Sequence, residues 1–213
     1  MNGILHNSQI KYLESLRKEK NQLILKMEEY ARKNNVPILD WKAAEFLETL
    51  VLALRPQKVL EIGTAIAYSS IRIACSLRND CSIDTIEKSK DNIELALKNI
   101  EESGFGDKIN IVKGDALDII PNLEEKYDFI FLDADKEDYK KLFDYSVEKL
   151  NKDGVLFIDN LLWKGYAGSA EIPEKYINST ESIRNFNQYF LASNQLFSTI
   201  VPIGDGIGLG VKQ

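Results

Sequence analysis

Three oxygen donors stand at the ends of two apolar segments of this chain. Residues 127–132 read Y-D-F-I-F-L and run into Asp133, Ala134, Asp135 and Lys136; residues 155–158 read V-L-F-I and run into Asp159 and Asn160. Asp133 and Asp159 offer carboxylates and Asn160 an amide oxygen. All three are hard donors, and together they make an incomplete oxygen cage suited to Mg²⁺ or Ca²⁺, with positions left open for water or substrate. Lys136 follows the first acid closely enough to act as a base where burial and a neighbouring cation lower its proton affinity.

For these donors to meet, the chain between them must fold in one way. The segment 136–150 carries Tyr139, Leu142, Phe143, Val147 and Leu150 at helical spacing. Strand, helix, strand over this length is a right-handed β-α-β crossover with parallel strands. The two carboxyl ends then lie side by side at one rim of the sheet, where open α/β sheets bind ligands. Asp133 and Asp159, 26 positions apart, are expected to converge there with Asn160.

A second group of acids lies upstream. The run V-L-E-I-G-T-A-I-A-Y-S places Gly63 at a strand-to-helix turn, but without the further glycines of a dinucleotide loop. Glu61, an acid within that apolar strand, is unhelpful to a phosphate and suits a cofactor with an amino group and a sulfonium. Glu87 ends the next strand and is placed to accept from ribose hydroxyls. Asp115, in G-D-A after the third strand, can accept from an adenine amino group. The order of these acids fits an adenosine with a cationic tail.

Periodicity supplies the surrounding elements. One long helix is expected over 8–33, with Leu13, Leu16, Leu23, Met27 and Tyr30 as an apolar stripe that Lys20 interrupts. A second helix follows Asp40 as N-cap, with Trp41, Ala44, Leu47, Val51 and Leu54 inward. Strands are expected at 58–62, 82–86, 108–112, 127–132, 155–158, 197–202 and 206–211. Helices are expected at 68–77, 91–103, 116–123, 136–150 and 180–193, with a loop over 161–178. The expected fold is α/β: a Rossmann-like, doubly wound, seven-stranded sheet with one antiparallel strand. An N-terminal helical cap (1–55) and an α/β core (56–213) together make a single domain.

Bulk properties narrow the function. With 44% apolar and 28% charged residues the composition is that of a soluble globular protein. No apolar run is long enough to span a membrane and the start is polar, so a cytoplasmic protein without a membrane partner is expected. The net charge of −6 argues against bulk capture of nucleic acid, although residues 1–35 carry seven Lys or Arg against four Glu, a basic edge that can meet phosphate. Cys75 and Cys81 lack metal-ligand spacing. His6 is the only histidine, which disfavours histidine catalysis.

The motifs E-I-G-T-x-x-x-Y-S, G-D-A, F-L-D-A-D-K-x-x-Y, I-D-N, I-R-x-F-N and V-P-I-G-D-G, taken in order, resemble the cation-dependent O-methyltransferases that use S-adenosylmethionine, a family with catechol and caffeoyl-CoA O-methyltransferases among its members. The resemblance runs from about Val36 to the C-terminus. It implies a divalent ion, Mg²⁺ or else Mn²⁺ or Ca²⁺, on Asp133, Asp159 and Asn160, with Lys136 as general base. It implies cofactor contacts from Glu61, Gly63, Ser69, Glu87, Asp115, Ala116, Asp133 and Asp135, and a homodimer. The chain departs from the family at Ala67, where glycine is usual. Within the family, its compact form is most similar to bacterial enzymes that methylate 5-hydroxyuridine at the wobble position of tRNA. The expected acceptor is therefore that nucleoside in tRNA, giving 5-methoxyuridine.

Four further residues are candidates for the acceptor side. Trp163 beside Lys164 can stack a base and hold phosphate. Arg184 and Asn187, three positions apart on a helix, can face the acceptor. A small catechol-like or hydroxycinnamoyl acceptor is the alternative that keeps the same chemistry. A non-catalytic or nicotinamide-nucleotide-binding module is the more distant one.

Overall fold

The computed structural model describes residues 6–77 and 81–213; the polar start at residues 1–5 lies outside them. Seven strands form one sheet: β1 Lys58–Ile62, β2 Ser82–Glu87, β3 Ile109–Lys113, β4 Tyr127–Leu132, β5 Leu150–Ile158, β6 Leu196–Val201 and β7 Ile207–Lys212. Their order is β3-β2-β1-β4-β5-β7-β6. The first five pair in parallel, and β7 runs antiparallel to both β5 and β6. The chain winds outward from β1 to β3, returns, and winds the other way from β4. The strand order therefore reverses between β1 and β4, which opens a crevice at their carboxyl ends.

The helices are α1 Asn7–Leu16, α2 Gln22–Asn34, α3 Trp41–Leu54, α4 Tyr68–Leu77, α5 Lys90–Ser103, α6 Ala116–Ile119, α7 Tyr139–Lys149 and α8 Ile177–Leu191. Strand residues alternate between two apolar layers. Val59, Phe129, Phe131, Val155 and Phe157 enter one layer with α2, α3 and α4. Leu60, Ile62, Ile130, Leu132, Leu156 and Ile158 enter the other, against Leu142 and Phe143 of α7 and Ile183, Phe186 and Phe190 of α8. Each large side chain so buried contributes about 1.5–3 kcal/mol. Both faces of β1, β4 and β5 are thereby fixed, and with them the positions of their ends. Among the described residues no helix is long and apolar enough to cross a membrane.

Residues 8–33 do not form one helix. The chain breaks at residues 17–21, where Lys20 interrupts the apolar stripe. Arg17 turns extended and grips Glu28 with two hydrogen bonds of 2.8 and 2.6 Å. The Asn21 side chain then caps α2 by accepting from the N–H groups of Leu23 and Ile24. A buried cation holds the break. Arg72 of α4, 1% exposed, forks onto Glu48 at 2.9 and 2.7 Å, donates to the Tyr68 hydroxyl at 2.8 Å, and lies 3.3 Å from Glu19 and 3.5 Å from Glu28. Local periodicity cannot foresee a break fixed by a residue some fifty positions away.

Smaller departures have similar causes. Leu150 begins β5 rather than ending a helix, because it pairs with Tyr127 ahead of an irregularity in the ladder. The segment expected as a loop over 161–178 contains 3₁₀ turns at Trp163–Gly168 and Glu174–Tyr176, and α8 starts three residues early. Leu54 is half-exposed rather than inward. The basic edge is partly neutralised within the chain: Arg17 pairs with Glu28, Lys26 with Glu102 and Lys33 with Glu29.

Removing one partner from a buried ionic cluster leaves the others uncompensated. Arg72→Met is expected to lower the unfolding free energy by about 3 kcal/mol or more, read as a lower urea midpoint. A midpoint equal to wild type would contradict the assigned role of Arg72.

Candidate active site

The sheet ladder itself delivers the acids to one rim. The N–H of Asp133 donates to the carbonyl of Ile62 at 3.0 Å, and the N–H of Asp159 to that of Leu132 at 3.1 Å. These bonds continue the β1–β4 and β4–β5 pairings by one residue. Gly63 lies against the same point with φ +103°, and a Cβ there would come within 2.0 Å of the Asp133 carbonyl oxygen. No larger residue fits while these ends stay together.

A cavity of about 810 Å³ opens over this rim. It is lined on one side by Gly63, Glu87, Asp115 and Ala116, and on the other by Asp133, Asp135, Lys136, Asp159, Asn160, Trp163 and Lys164. That volume is within the range of small-molecule and cofactor sites. Most of the residues singled out in the sequence therefore share one space.

Asp159 is buried, and burial together with the nearby charge of Asp133 pushes its carboxyl well above the usual range. Its Oδ1 accepts from the Asn160 N–H at 2.7 Å, and no Lys or Arg pairs with it among the described residues. Asn160 adopts the left-handed region with φ +66°, which for a non-glycine residue is strained. Among the described residues no cluster of three His, Cys, Asp or Glu side chains forms a metal site. The oxygen-bearing side chains that line the cavity directly after β4 and β5 are those of Asp133, Asp159 and Asn160. A buried carboxylate lacking a protein cation, beside a second carboxylate, fits a hard divalent ion.

Lys136 is the nearest cation. Its ammonium donates to Asp133 Oδ1 at 3.0 Å, to the Ala134 carbonyl at 2.9 Å and to the Tyr139 hydroxyl at 2.8 Å. Tyr139 is fully buried, and burial followed by the charges of Asp133 and Asp159 pushes its phenol well above the ordinary value. Asp205, in the turn between β6 and β7, also lines the cavity. Burial raises its carboxyl, while Oδ1 accepts from the Lys164 N–H at 2.6 Å. The sequence presented both residues inside quoted motifs, K-x-x-Y and G-D-G, but helical spacing gave Tyr139 only a packing position, and nothing gave Asp205 a task.

At the ends of β2 and β3, Glu87 accepts from the Ala65 and Ser89 N–H groups, both at 2.9 Å, and so shapes the loop after β1. Asp115 caps α6 by accepting from the Leu117 N–H. Lys88 bridges Asp135 at 2.9 Å and Asp115 at 3.5 Å. Glu61 sits differently from the sequence expectation. It is fully buried beneath the cavity, where Ser69, Ser70 and Thr85 hydroxyls all donate to it. Ser69 is likewise turned toward Glu61. Burial raises the Glu61 carboxyl to about 7 against the opposing pull of those hydroxyls. Ala67 has φ +65° and is fully buried, so it holds a backbone shape that glycine adopts without strain.

Arg184 and Asn187, expected on the acceptor side, do not line the cavity. The Arg184 guanidinium donates to the carbonyls of Ala167, Tyr166 and Ser169, and the Asn187 amide donates to Leu161. Both brace the irregular segment that carries Trp163 and Lys164, whose carbonyls, free of any ladder, accept from these side chains. Trp163 and Lys164 are themselves left-handed, with φ +46° and +56°. Trp163 packs edge-on to Tyr176 with ring centres 6.1 Å apart.

The chain matches the O-methyltransferase family over residues 9–213, and it belongs to that family. Caffeoyl-CoA O-methyltransferase 1 of Eucalyptus globulus is 31% identical over 173 residues, covering 78% of this chain and 70% of the relative. Among solved structures, a candidate caffeoyl-CoA O-methyltransferase from Staphylococcus aureus superimposes with a TM-score of 0.91 at 28% identity, over 97% of this chain and 100% of that one. The O-methyltransferase of Bacillus cereus, solved with SAH, gives 0.81 at 25% identity over 95% and 96%. Fold and family together make the protein an S-adenosylmethionine-dependent O-methyltransferase.

Two substitutions test the cofactor-side geometry. The folded Glu61 carboxyl, at about 7 against 4.5 when unfolded, binds its proton more tightly in the native state. Its contribution is fully present below pH 4.5, is lost as pH rises through 7, and amounts to about 3 kcal/mol. Glu61→Gln is expected to raise the melting temperature over wild type at pH 8 and to leave little difference at pH 4.5; the reverse order would refute the buried-carboxyl account. Ala67→Gly should leave the urea midpoint within about 0.5 kcal/mol of wild type, because relief of left-handed strain offsets the loss of a buried methyl and the added freedom of the unfolded chain. A larger shift in either direction would contradict it.

Proposed function

We propose that this protein transfers a methyl group to a hydroxyl oxygen that has a second oxygen beside it, with a divalent ion held by Asp133, Asp159 and Asn160. The observation that carries the reading is the single cavity lined by this donor set, Lys136, and the strand-end acids Glu87 and Asp115. When bound, S-adenosylmethionine supplies the methyl group and the ion acts as a Lewis acid that lowers the proton affinity of the acceptor hydroxyl.

The remaining work falls to the chain. Glu87 takes the ribose hydroxyls and Asp115 the adenine amino group, with Gly63, Ala116 and Asp135 closing around them. Glu61 and Ser69 act from beneath, by holding the loop after β1 in shape. Lys136 receives the hydroxyl proton at Nζ. As an ammonium it engages all three of its hydrogens, so it must first release a proton and one of those partners. Trp163 offers a ring face and an indole N–H that has no partner among the described residues. Lys164 stands 5.8 Å from that ring and can meet an acceptor anion.

Two acceptors present the required pair of oxygens. In 5-hydroxyuridine of tRNA these are the 5-hydroxyl and the 4-keto oxygen. In a catechol or hydroxycinnamoyl compound they are vicinal ring oxygens. The tRNA nucleoside is the first reading, resting on overall similarity to the compact bacterial members of the family and on the Trp163–Lys164 rim, which suits a stacked base beside a phosphate. The names of the caffeoyl-CoA relatives favour the second. The family resemblance also suggests a homodimer, which light scattering on the purified protein tests.

Chelation with EDTA is expected to abolish methylation, and Asp159→Ala to lower kcat by about 100-fold or more. Full turnover in either case would overturn the metal-assisted reading. For the acceptor, nucleoside mass spectrometry of tRNA from a deletion strain is expected to show 5-methoxyuridine replaced by 5-hydroxyuridine. An unchanged profile, with turnover of caffeoyl-CoA by the purified enzyme, would select the small-molecule reading.

A further inference from the structure

Tyr139 opens α7 three residues after Lys136, and the function proposed above gives it no part. It is fully buried, with its ring edge-on to Phe186 at 5.3 Å and 81°. Phenylalanine would fill the same space, so the hydroxyl must be accounted for separately. A buried hydroxyl without partners costs free energy, but this one has two. It accepts from Lys136 Nζ at 2.8 Å and donates to the Asp159 carbonyl at 3.0 Å. It thus connects the lysine at the end of β4 to the backbone at the end of β5.

The other two partners of Lys136 cannot do this. Ala134 is two residues away, and its carbonyl moves with the lysine's own turn. Asp133 Oδ1 belongs to the proposed donor set, and an oxygen engaged there is no longer a firm anchor for an amine. Among its three hydrogen-bond partners, only the phenol ties Nζ to the neighbouring strand; the Trp163 ring stands 5.7 Å away and fixes no direction for a lone pair. The ring itself stands 4.7 Å from Nζ, which restricts the lysine chain further.

We propose that Tyr139 is a positioning residue for methyl transfer: its hydroxyl fixes Lys136 Nζ relative to Asp159 and Asn160, so that the amine faces the acceptor oxygen. This rests on the reading of Lys136 as the base. The hydroxyl does not line the cavity, and its two partners are Lys136 Nζ and the Asp159 carbonyl. Its loss should slow the chemical step and spare binding.

The test is a double-mutant cycle on the Mg²⁺-loaded enzyme, with undermodified tRNA or caffeoyl-CoA, whichever the wild type methylates. Tyr139→Phe is expected to lower kcat about 10-fold or more, because general-base contributions run from about 10²- to 10⁴-fold and misplacement forfeits part of one. The acceptor KM, the melting temperature and the S-adenosylmethionine Kd of the metal-free protein, measured by calorimetry, should stay close to wild type. Adding Tyr139→Phe to Lys136→Ala should cost nothing further. The inference is overturned by a wild-type kcat in Tyr139→Phe, by a rise in KM or Kd that accounts for the loss, or by additive losses in the double variant. A wild-type kcat in Lys136→Ala is a separate outcome, which overturns the base reading and the inference with it.

Discussion

The rest of the site depends on a repulsion. The parallel ladder that joins β1, β4 and β5 carries Asp133 and Asp159 to neighbouring strand ends. Burial and the charge of Asp133 both oppose ionisation of Asp159. Asp159 is buried and has no Lys or Arg partner among the described residues. A hydrophobic pair would pack these strands at less cost. The arrangement makes physical sense when a cation shares the two carboxylates, and Lys136 on Asp133 supplies only part of that charge.

Everything around the pair keeps it in place. Below, two apolar layers clamp both faces of β4 and β5, so the ends cannot separate without exposing Phe131, Phe157, Leu132 and Ile158. Beside it, Gly63 lets the loop after β1 approach the Asp133 carbonyl. Opposite, the turn between β6 and β7 places Asp205 under Lys164, and Arg184 and Asn187 brace the same segment from α8. The strained backbone at Asn160, Trp163 and Lys164 is held by these contacts. On the far side, Arg72 binds α4 to the break between α1 and α2, which ties the helix after the cofactor loop to the N-terminal helices.

The sheet was legible in the sequence because apolar runs of strand length ended in acids or glycine, and because each helix between them kept its period. The convergence of Asp133, Asp159 and Asn160 followed from topology alone, since a right-handed crossover leaves only one rim for both ends. What could not be read depended on contacts between distant residues. The helix break needs Arg17 on Glu28 and Arg72 on Glu48. The burial of Glu61 needs hydroxyls from both α4 and β2. Arg184 and Asn187 share a helix face as expected, but carbonyls of the 161–169 segment occupy that face. Tyr139 was visible only as a packing position of its helix and Asp205 only as a motif letter, because their polar tasks are set by partners on other elements.

The most direct test of the central claim is calorimetric titration of Mn²⁺ into the purified protein without cofactor or acceptor, compared with Asp159→Ala. The account predicts one site per chain in the wild type and loss of that site in the variant, with the variant still folded. Absence of binding by the wild type, or equal binding by both proteins, would contradict it.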